Sequence, residues 1–271
     1  MTAPAVDNSP LLKENTLNQV RWITLNRPKQ RNPLSSHMLK ELTRALDDAG
    51  NDPHVRAIVI TAEGPVFSAG HDLREMSRHD GEDIESQQAR VRAVLELCAT
   101  MMLSIVHSPK AVIACVQAPA TAAGCQLVSA CDLAIATDAA TFCTPGVNIG
   151  AFCTTPLVGI GRNIHRKHAM AMALTGDAIP ADEAVRIGLI NEAVPAEQLV
   201  QHTRELAERI ASKSAQGIRQ GKADFYRQVE MPLEEAFTHA NDAMVRAMTS
   251  PDAMEGKKAF FEKRTPQWGD A

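Results

Sequence analysis

Ring side chains are scarce: aromatics make up 4% of the 271 residues, and Tyr226 is the single tyrosine. A core of stacked rings is excluded, so the apolar 45% must pack mainly as Ala, Val, Ile, Leu and Met. No apolar run approaches the ~20 residues needed to cross a bilayer. Met1 to Pro10 is short and not basic, and it lacks the apolar stretch of a secretory signal. The expectation is a cytoplasmic protein, with an organelle matrix open if a transit segment has been removed. Basic surplus is also missing: 28 Lys and Arg face 32 Asp and Glu, a formal charge of −4. Bulk electrostatics therefore favour neither nucleic acid nor a membrane surface, and an anionic ligand needs a local basic cluster. Six cysteines (Cys98, Cys115, Cys125, Cys131, Cys143 and Cys153) contain no Cys-x-x-Cys and sit among apolar or small neighbours. They read as reduced, mostly buried thiols. His165 and His168 are the only His pair at helical spacing, and no acidic or Cys partner accompanies them, so no metal is expected.

What is present is an alternation of strand and helix signals. Gln19–Leu25 alternates like a strand, and a Pro-punctuated loop follows, carrying Arg27, Lys29 and Arg31. Ser35 or Ser36 opens a helix through Ala49, with Met38, Leu39, Leu42 and Leu46 at helical spacing. Residues 57–61 and 111–116 read as buried strands, 83–107 as a long helix, and 132–137 as a further strand. From His165 on only helical patterns are evident, over 165–174, 181–187, 196–213, 216–229, 232–248 and 251–263. The implied division is an N-terminal extension (1–16), an α/β core (17–195) and a helical C-terminal region (196–271).

Two stretches carry chemistry: Phe67-Ser68-Ala69-Gly70-His71-Asp72 and Ala120-Thr121-Ala122-Ala123-Gly124-Cys125-Gln126. Each reads as a strand entering a small-residue turn that opens a helix. If the turns meet, two backbone N–H groups can converge on one carbonyl oxygen, the basis of an oxyanion hole. The bland alternative is that the small residues only permit close helix–strand packing. Asp72 reads as a helix cap, and Glu75, one turn on, as solvent-exposed. Cys125 and Cys153 read as packing rather than nucleophiles, since no His–Cys pair can be assigned. His71 is the best titratable candidate, although its ring can point elsewhere.

The ordered set of pieces resembles the enoyl-CoA hydratase/isomerase (crotonase) superfamily. They are Leu25-Asn26-Arg27-Pro28, Phe67 to Leu73, Ala122 to Leu127 with Cys131 to Ala136, Leu174-Thr175-Gly176, Gly188-Leu189-Ile190, Val194-Pro195 and Glu255 to Arg264. The resemblance implies a spiral of ββα units, a C-terminal helical trimerisation region and a CoA thioester ligand. It implies a homotrimer or dimer of trimers, and no prosthetic group, since coenzyme A is part of the substrate. By position the oxyanion donors become the N–H groups of His71 and Ala123, where many members carry Gly at the second position. Ala69, Asp72 and Leu73 flank the ligand. Arg27, Lys29 and Arg31 are placed to meet phosphates, with Lys263 or Arg264 approaching from a neighbouring subunit.

Hydratases of that family use two glutamates, one to deprotonate water and one to deliver a proton to the α-carbon. Here the two positions hold Gln126 and Gly146. Gln126 can orient a water but cannot take its proton, and Gly146 has no side chain. Losing both threatens about 5–11 kcal/mol of barrier lowering if they act independently. The expectation is therefore an acyl-CoA enzyme that retains enolate stabilisation and has poor hydratase activity. The alternatives are malonyl-type decarboxylation and a non-catalytic acyl-CoA binder or scaffold. The decarboxylases it resembles have a Tyr where this chain reads Ala151-Phe152-Cys153-Thr154-Thr155-Pro156. The closer likeness is to the enoyl-CoA hydratase domain-containing subgroup.

Overall fold

The computed structural model describes residues 9–269. Of the expected extension, residues 1–8 lie outside the described residues. The rest of it enters the sheet: β1 (Leu12–Leu17) pairs antiparallel with β2 (Val20–Leu25), Leu12 opposite Leu25 and Leu17 opposite Val20. Asn18 and Gln19 join them with φ of 50° and 64°, the left-handed pair that a two-residue hairpin turn requires. Only Leu12 of β1 is buried, so this strand shows no apolar alternation by which to read it.

From β2 the chain runs through α1 (Ser36–Asn51), β3 (Ala57–Ala62), the short α2 (Leu73–Met76), α3 (Ile84–Val106) and β4 (Ala111–Val116). It continues with β5 (Ala120–Thr121), α4 (Ala123–Ala130), β6 (Leu133–Thr137) and β7 (Thr141–Cys143). Then come α5 (Pro156–Asn163), α6 (Arg166–Thr175), β8 (Ile179–Pro180), α7 (Ala181–Arg186) and β9 (Glu192–Val194). Among the described residues only helices follow: α8 (Leu199–Ala211), α9 (Ala215–Gln228), α10 (Leu233–Met248) and α11 (Pro251–Glu262).

The main sheet has the order β1-β2-β3-β4-β6-β9 and is parallel except for β1. Helices cover both faces, which is why its central strands read as continuous apolar runs. Ile58, Ile60, Val112 and Ala114 face the larger core with α1, α3 and α4. Ala57, Val59, Ile113 and Cys115 face Leu199, Ala207 and Ala211 of α8. A small sheet, β5-β7-β8, lies beside the main one. Its strands of two or three residues are too short to show a period, and for the same reason β8 and β9 interrupt a region after His165 that was expected to hold only helices.

Sequence signals set the helix ends. Ser35 caps α1 through Met38 N, and the buried stripe is Met38, Leu39, Leu42, Ala45, Leu46 and Ala49. Asp83 caps α3 through Ser86 N, and Val94, Cys98, Met101, Met102 and Ile105 are buried. The C-terminal helices are fastened to the core by a polar latch. Lys222 Nζ of α9 donates to Asp132 Oδ2 at 2.7 Å and to the carbonyls of Ile105 and Lys110. Tyr226 OH donates to the other Asp132 oxygen at 2.9 Å. Burial lowers the Lys222 pKa and raises that of Tyr226. The single tyrosine thus serves packing. All six cysteines are free, and only Cys143 is not buried.

Candidate functional site

The two small-residue turns leave the C-terminal ends of adjacent parallel strands, β3 and β4, where ligands of open α/β sheets bind. They touch. Ser68 and Ala120 form a parallel bridge, Thr121 N donates to Ser68 O at 2.9 Å, and Phe67 N donates to Pro119 O at 3.0 Å. Contact this close depends on two glycines. A Cβ on Gly124 would stand 2.4 Å from Ser68 O. Gly70 has φ +87°, and a Cβ there would stand 3.0 Å from Thr121 O and 3.1 Å from Ala123 N.

His71 bridges Leu34 in parallel, and Leu34 N donates to Gly70 O at 2.8 Å. In such a bridge the groups flanking His71 face Leu34, so the His71 N–H itself faces away. Ala123 is the first residue of α4, where N–H groups have no intrahelical acceptor. Among the described residues neither N–H has a backbone acceptor. The left-handed residue of this turn is the one before, Ala122, with φ 50° and ψ −116°. Its N–H is fixed by Cys143 O at 2.9 Å. A non-glycine residue held there costs about 1–3 kcal/mol.

The His71 ring is largely buried. Nδ1 lies 3.4 Å from Leu34 O, and Nε2 is buried without a partner. Burial lowers its pKa, against a smaller opposing effect of the Leu34 carbonyl. Asp72 caps α2 through Arg74 N and pairs with the Arg74 guanidinium at 2.7 Å, which lowers its pKa. Glu75 does not point into solvent as expected. Its Oε2 accepts from Ser36 N at 2.8 Å and Ser36 Oγ at 2.7 Å, at the first residue of α1.

Gln126 is buried on α4, with Cys98 Sγ 4.0 Å from its Oε1. Burial pushes the Cys98 thiol up to about 11, so it stays protonated beside the amide. Burial raises Cys125 and Cys153 likewise, which leaves them no thiolate character. Gly146 sits in a 3₁₀ turn, Pro145–Ile149, and its φ is not positive. The obstacle to a side chain there is crowding: a Cβ would lie 3.0 Å from both Cys153 N and Sγ.

Asn32 is a residue whose importance the sequence pattern does not reveal. It is fully buried with φ 49°. Its amide donates to Glu63 O and Val66 O, its Oδ1 accepts from Arg27 N, and its carbonyl accepts from Ser68 Oγ. It therefore fastens the 27–33 loop to the first turn, and Ala69 N completes the join on Arg31 O at 3.0 Å. An Asn flanked by Arg and Pro, tolerant of left-handed backbone, is the one signal that could have found it. Of the basic residues of that loop, Arg27 is half-buried and Lys29 and Arg31 are exposed. Leu73 is exposed at the start of α2. Lys263 lies apart, exposed in the left-handed cap of α11. Arg264 is held within its own chain by Glu255 and Glu262.

This arrangement belongs to a known class of acyl-CoA proteins. The chain is a member of the enoyl-CoA hydratase/isomerase family, whose model matches residues 15–271. It is 44% identical over 249 residues to rat enoyl-CoA hydratase domain-containing protein 3, mitochondrial, covering 92% of this chain and 81% of that one. The crystal structure of human enoyl-CoA hydratase domain-containing protein 3 superposes with a TM-score of 0.91 at 41% identity, covering 96% of this chain and all of that chain. An enoyl-CoA hydratase from Mycobacterium smegmatis gives 0.89, also at 41% identity, over 96% of this chain and 99% of that one. The crotonase fold expected from the motifs is the fold observed.

Proposed function

We propose that the protein binds an acyl-CoA thioester, polarises its carbonyl between the N–H groups of His71 and Ala123, and stabilises the resulting enolate. The observation that carries this reading is the meeting of the two turns, which leaves both donors without a backbone acceptor. The N-terminus of α4 adds the positive end of a helix dipole. A lost donor of this kind typically costs about 2.7–4 kcal/mol at the transition state. Coenzyme A enters as part of the substrate, with Arg27, Lys29 and Arg31 toward its phosphates and Ala69, Asp72 and Leu73 beside it.

Efficient hydration is not part of the proposal. Gln126 and Gly146 occupy the places of the two glutamates, and the carboxylates nearest His71 in sequence are both engaged. Asp72 holds Arg74, and Glu75 holds Ser36. Decarboxylation of a malonyl-type ester is the second reading, favoured because both of these carboxylates are engaged elsewhere. Its C–C bond breaks toward the enolate without a base to begin it, CO₂ leaves, and the α-carbon is then protonated. We further propose assembly as a trimer or dimer of trimers. Phe237, Phe260 and Phe261 are 64%, 78% and 80% exposed on α10 and α11, more apolar surface than a lone chain favours. Lys263 would then serve a neighbouring subunit's CoA.

Steady-state assays on a panel of enoyl-CoA and malonyl-type CoA esters test the reading, with binding measured in parallel. Slow hydration with turnover of a malonyl-type ester selects the second reaction. Binding without turnover of any ester reduces the protein to a binder. Absence of binding to every ester contradicts the proposal.

A further inference from the structure

The first donor turn runs into a helix with one partly buried apolar residue, Met76, packed against the larger core. α2 is four residues long and fully buries none of them. Polar ties add to that contact, and Glu75 makes the ones that reach α1. Its carboxylate reaches across to the start of α1, accepting from Ser36 N at 2.8 Å and Ser36 Oγ at 2.7 Å. Ser36 N is among the N-terminal donors that α1 leaves unsatisfied, and a carboxylate is the favoured partner there. Two residues earlier, Leu34 receives the turn itself: Leu34 N on Gly70 O at 2.8 Å, and His71 Nδ1 3.4 Å from Leu34 O. Segments 34–36 and 70–75 are thus tied at both ends, with His71 between the ties. Behind Glu75, Arg90 of α3 donates to the Glu75 and Ser77 carbonyls and pairs with Glu82.

We propose that Glu75 is a positioning residue: by clamping α2 onto the start of α1 it fixes the direction of the His71 N–H. The inference rests on the oxyanion reading of that N–H. Glu75 touches no substrate in this scheme. Its effect passes through Ser36, Leu34 and the plane of the Gly70–His71 peptide. Misplacement of a catalytic group by an ångström can cost roughly 100-fold in rate, so losing the clamp should act on polarisation far more than on affinity.

The test is the absorption shift of a bound chromophoric dienoyl-CoA, read in the wild type, Glu75→Gln, Glu75→Ala and Ser36→Ala. Melting temperature and dissociation constant are measured alongside. Glu75→Gln retains an acceptor for Ser36 N and should keep most of the shift. Glu75→Ala should lose most of it, with affinity changed by less than about threefold. Ser36→Ala, which removes only the hydroxyl tie, should fall between and covers the case in which Glu75→Ala does not fold. For any ester the wild type turns over, Glu75→Ala should lower kcat roughly 10- to 100-fold with KM nearly unchanged. A full wild-type shift in a folded Glu75→Ala protein overturns the inference and leaves the oxyanion reading intact. Loss of the shift in proportion to affinity also overturns it. No shift in the wild type overturns the oxyanion reading and the inference with it.

Discussion

At the scale of single residues, the candidate site depends on groups that never meet a ligand. Asn32 makes five hydrogen bonds, to Arg27, Glu63, Val66 and Ser68, from a fully buried position. Asn32→Ala strips the Arg27 N–H and the Glu63 and Val66 carbonyls of a partner, and should cost about 2–4 kcal/mol in urea unfolding. His71 gives a pH signature. Burial holds its folded pKa below the free value of 6.5. On acidification the unfolded chain therefore takes up the proton first. Stability should be unaffected by this group above 6.5 and fall as pH drops through the range just beneath it. Urea midpoints measured between about pH 7.5 and 5 should show this slope in the wild type and a flatter one in His71→Ala. His71, Ala123, Gln126 and Gly146 were pointed to by the family resemblance, and what the structure bears out is the contact between the two small-residue turns. Glu75 and Asn32 were not legible, because their partners Ser36, Glu63 and Val66 lie tens of residues away in sequence. At Gly146 the backbone is not left-handed, and crowding by Cys153 is the barrier to a glutamate there.

At the scale of elements, local pattern located what was long and two-sided. α1 begins at the cap its serine signal suggests, α3 fills the long helical stretch, and β3 and β4 fill the apolar runs. β1 was hidden because five of its six residues are outside the core. α5 was hidden in a Gly- and Thr-rich stretch because only Pro156 and Ile160 of its residues are buried. The docking of α9 was also invisible, since it depends on Lys222 and Tyr226 meeting Asp132 about ninety residues earlier. Breaking such a buried pair leaves a charge uncompensated. Lys222→Met should destabilise by about 3–5 kcal/mol, whereas replacing Lys222 and Asp132 together by apolar residues should cost less than the single change. Chemical denaturation of the two variants decides this.

At the scale of the whole molecule, two regions matter: the strand ends where the two turns meet and the apolar faces of the C-terminal helices. Light scattering at micromolar concentration should give a trimer or a hexamer, and a monomer would remove the role proposed for Lys263. The central claim is narrower: a thioester carbonyl is polarised by the N–H of His71. The direct measurement is the absorption shift of a bound chromophoric acyl-CoA in the wild type, His71→Ala and His71→Pro. Alanine keeps the N–H and proline deletes it, and this N–H has no backbone acceptor to lose. The account predicts a shift in the wild type, largely retained in His71→Ala and mostly lost in a folded His71→Pro protein that still binds. An equal shift in all three would contradict it.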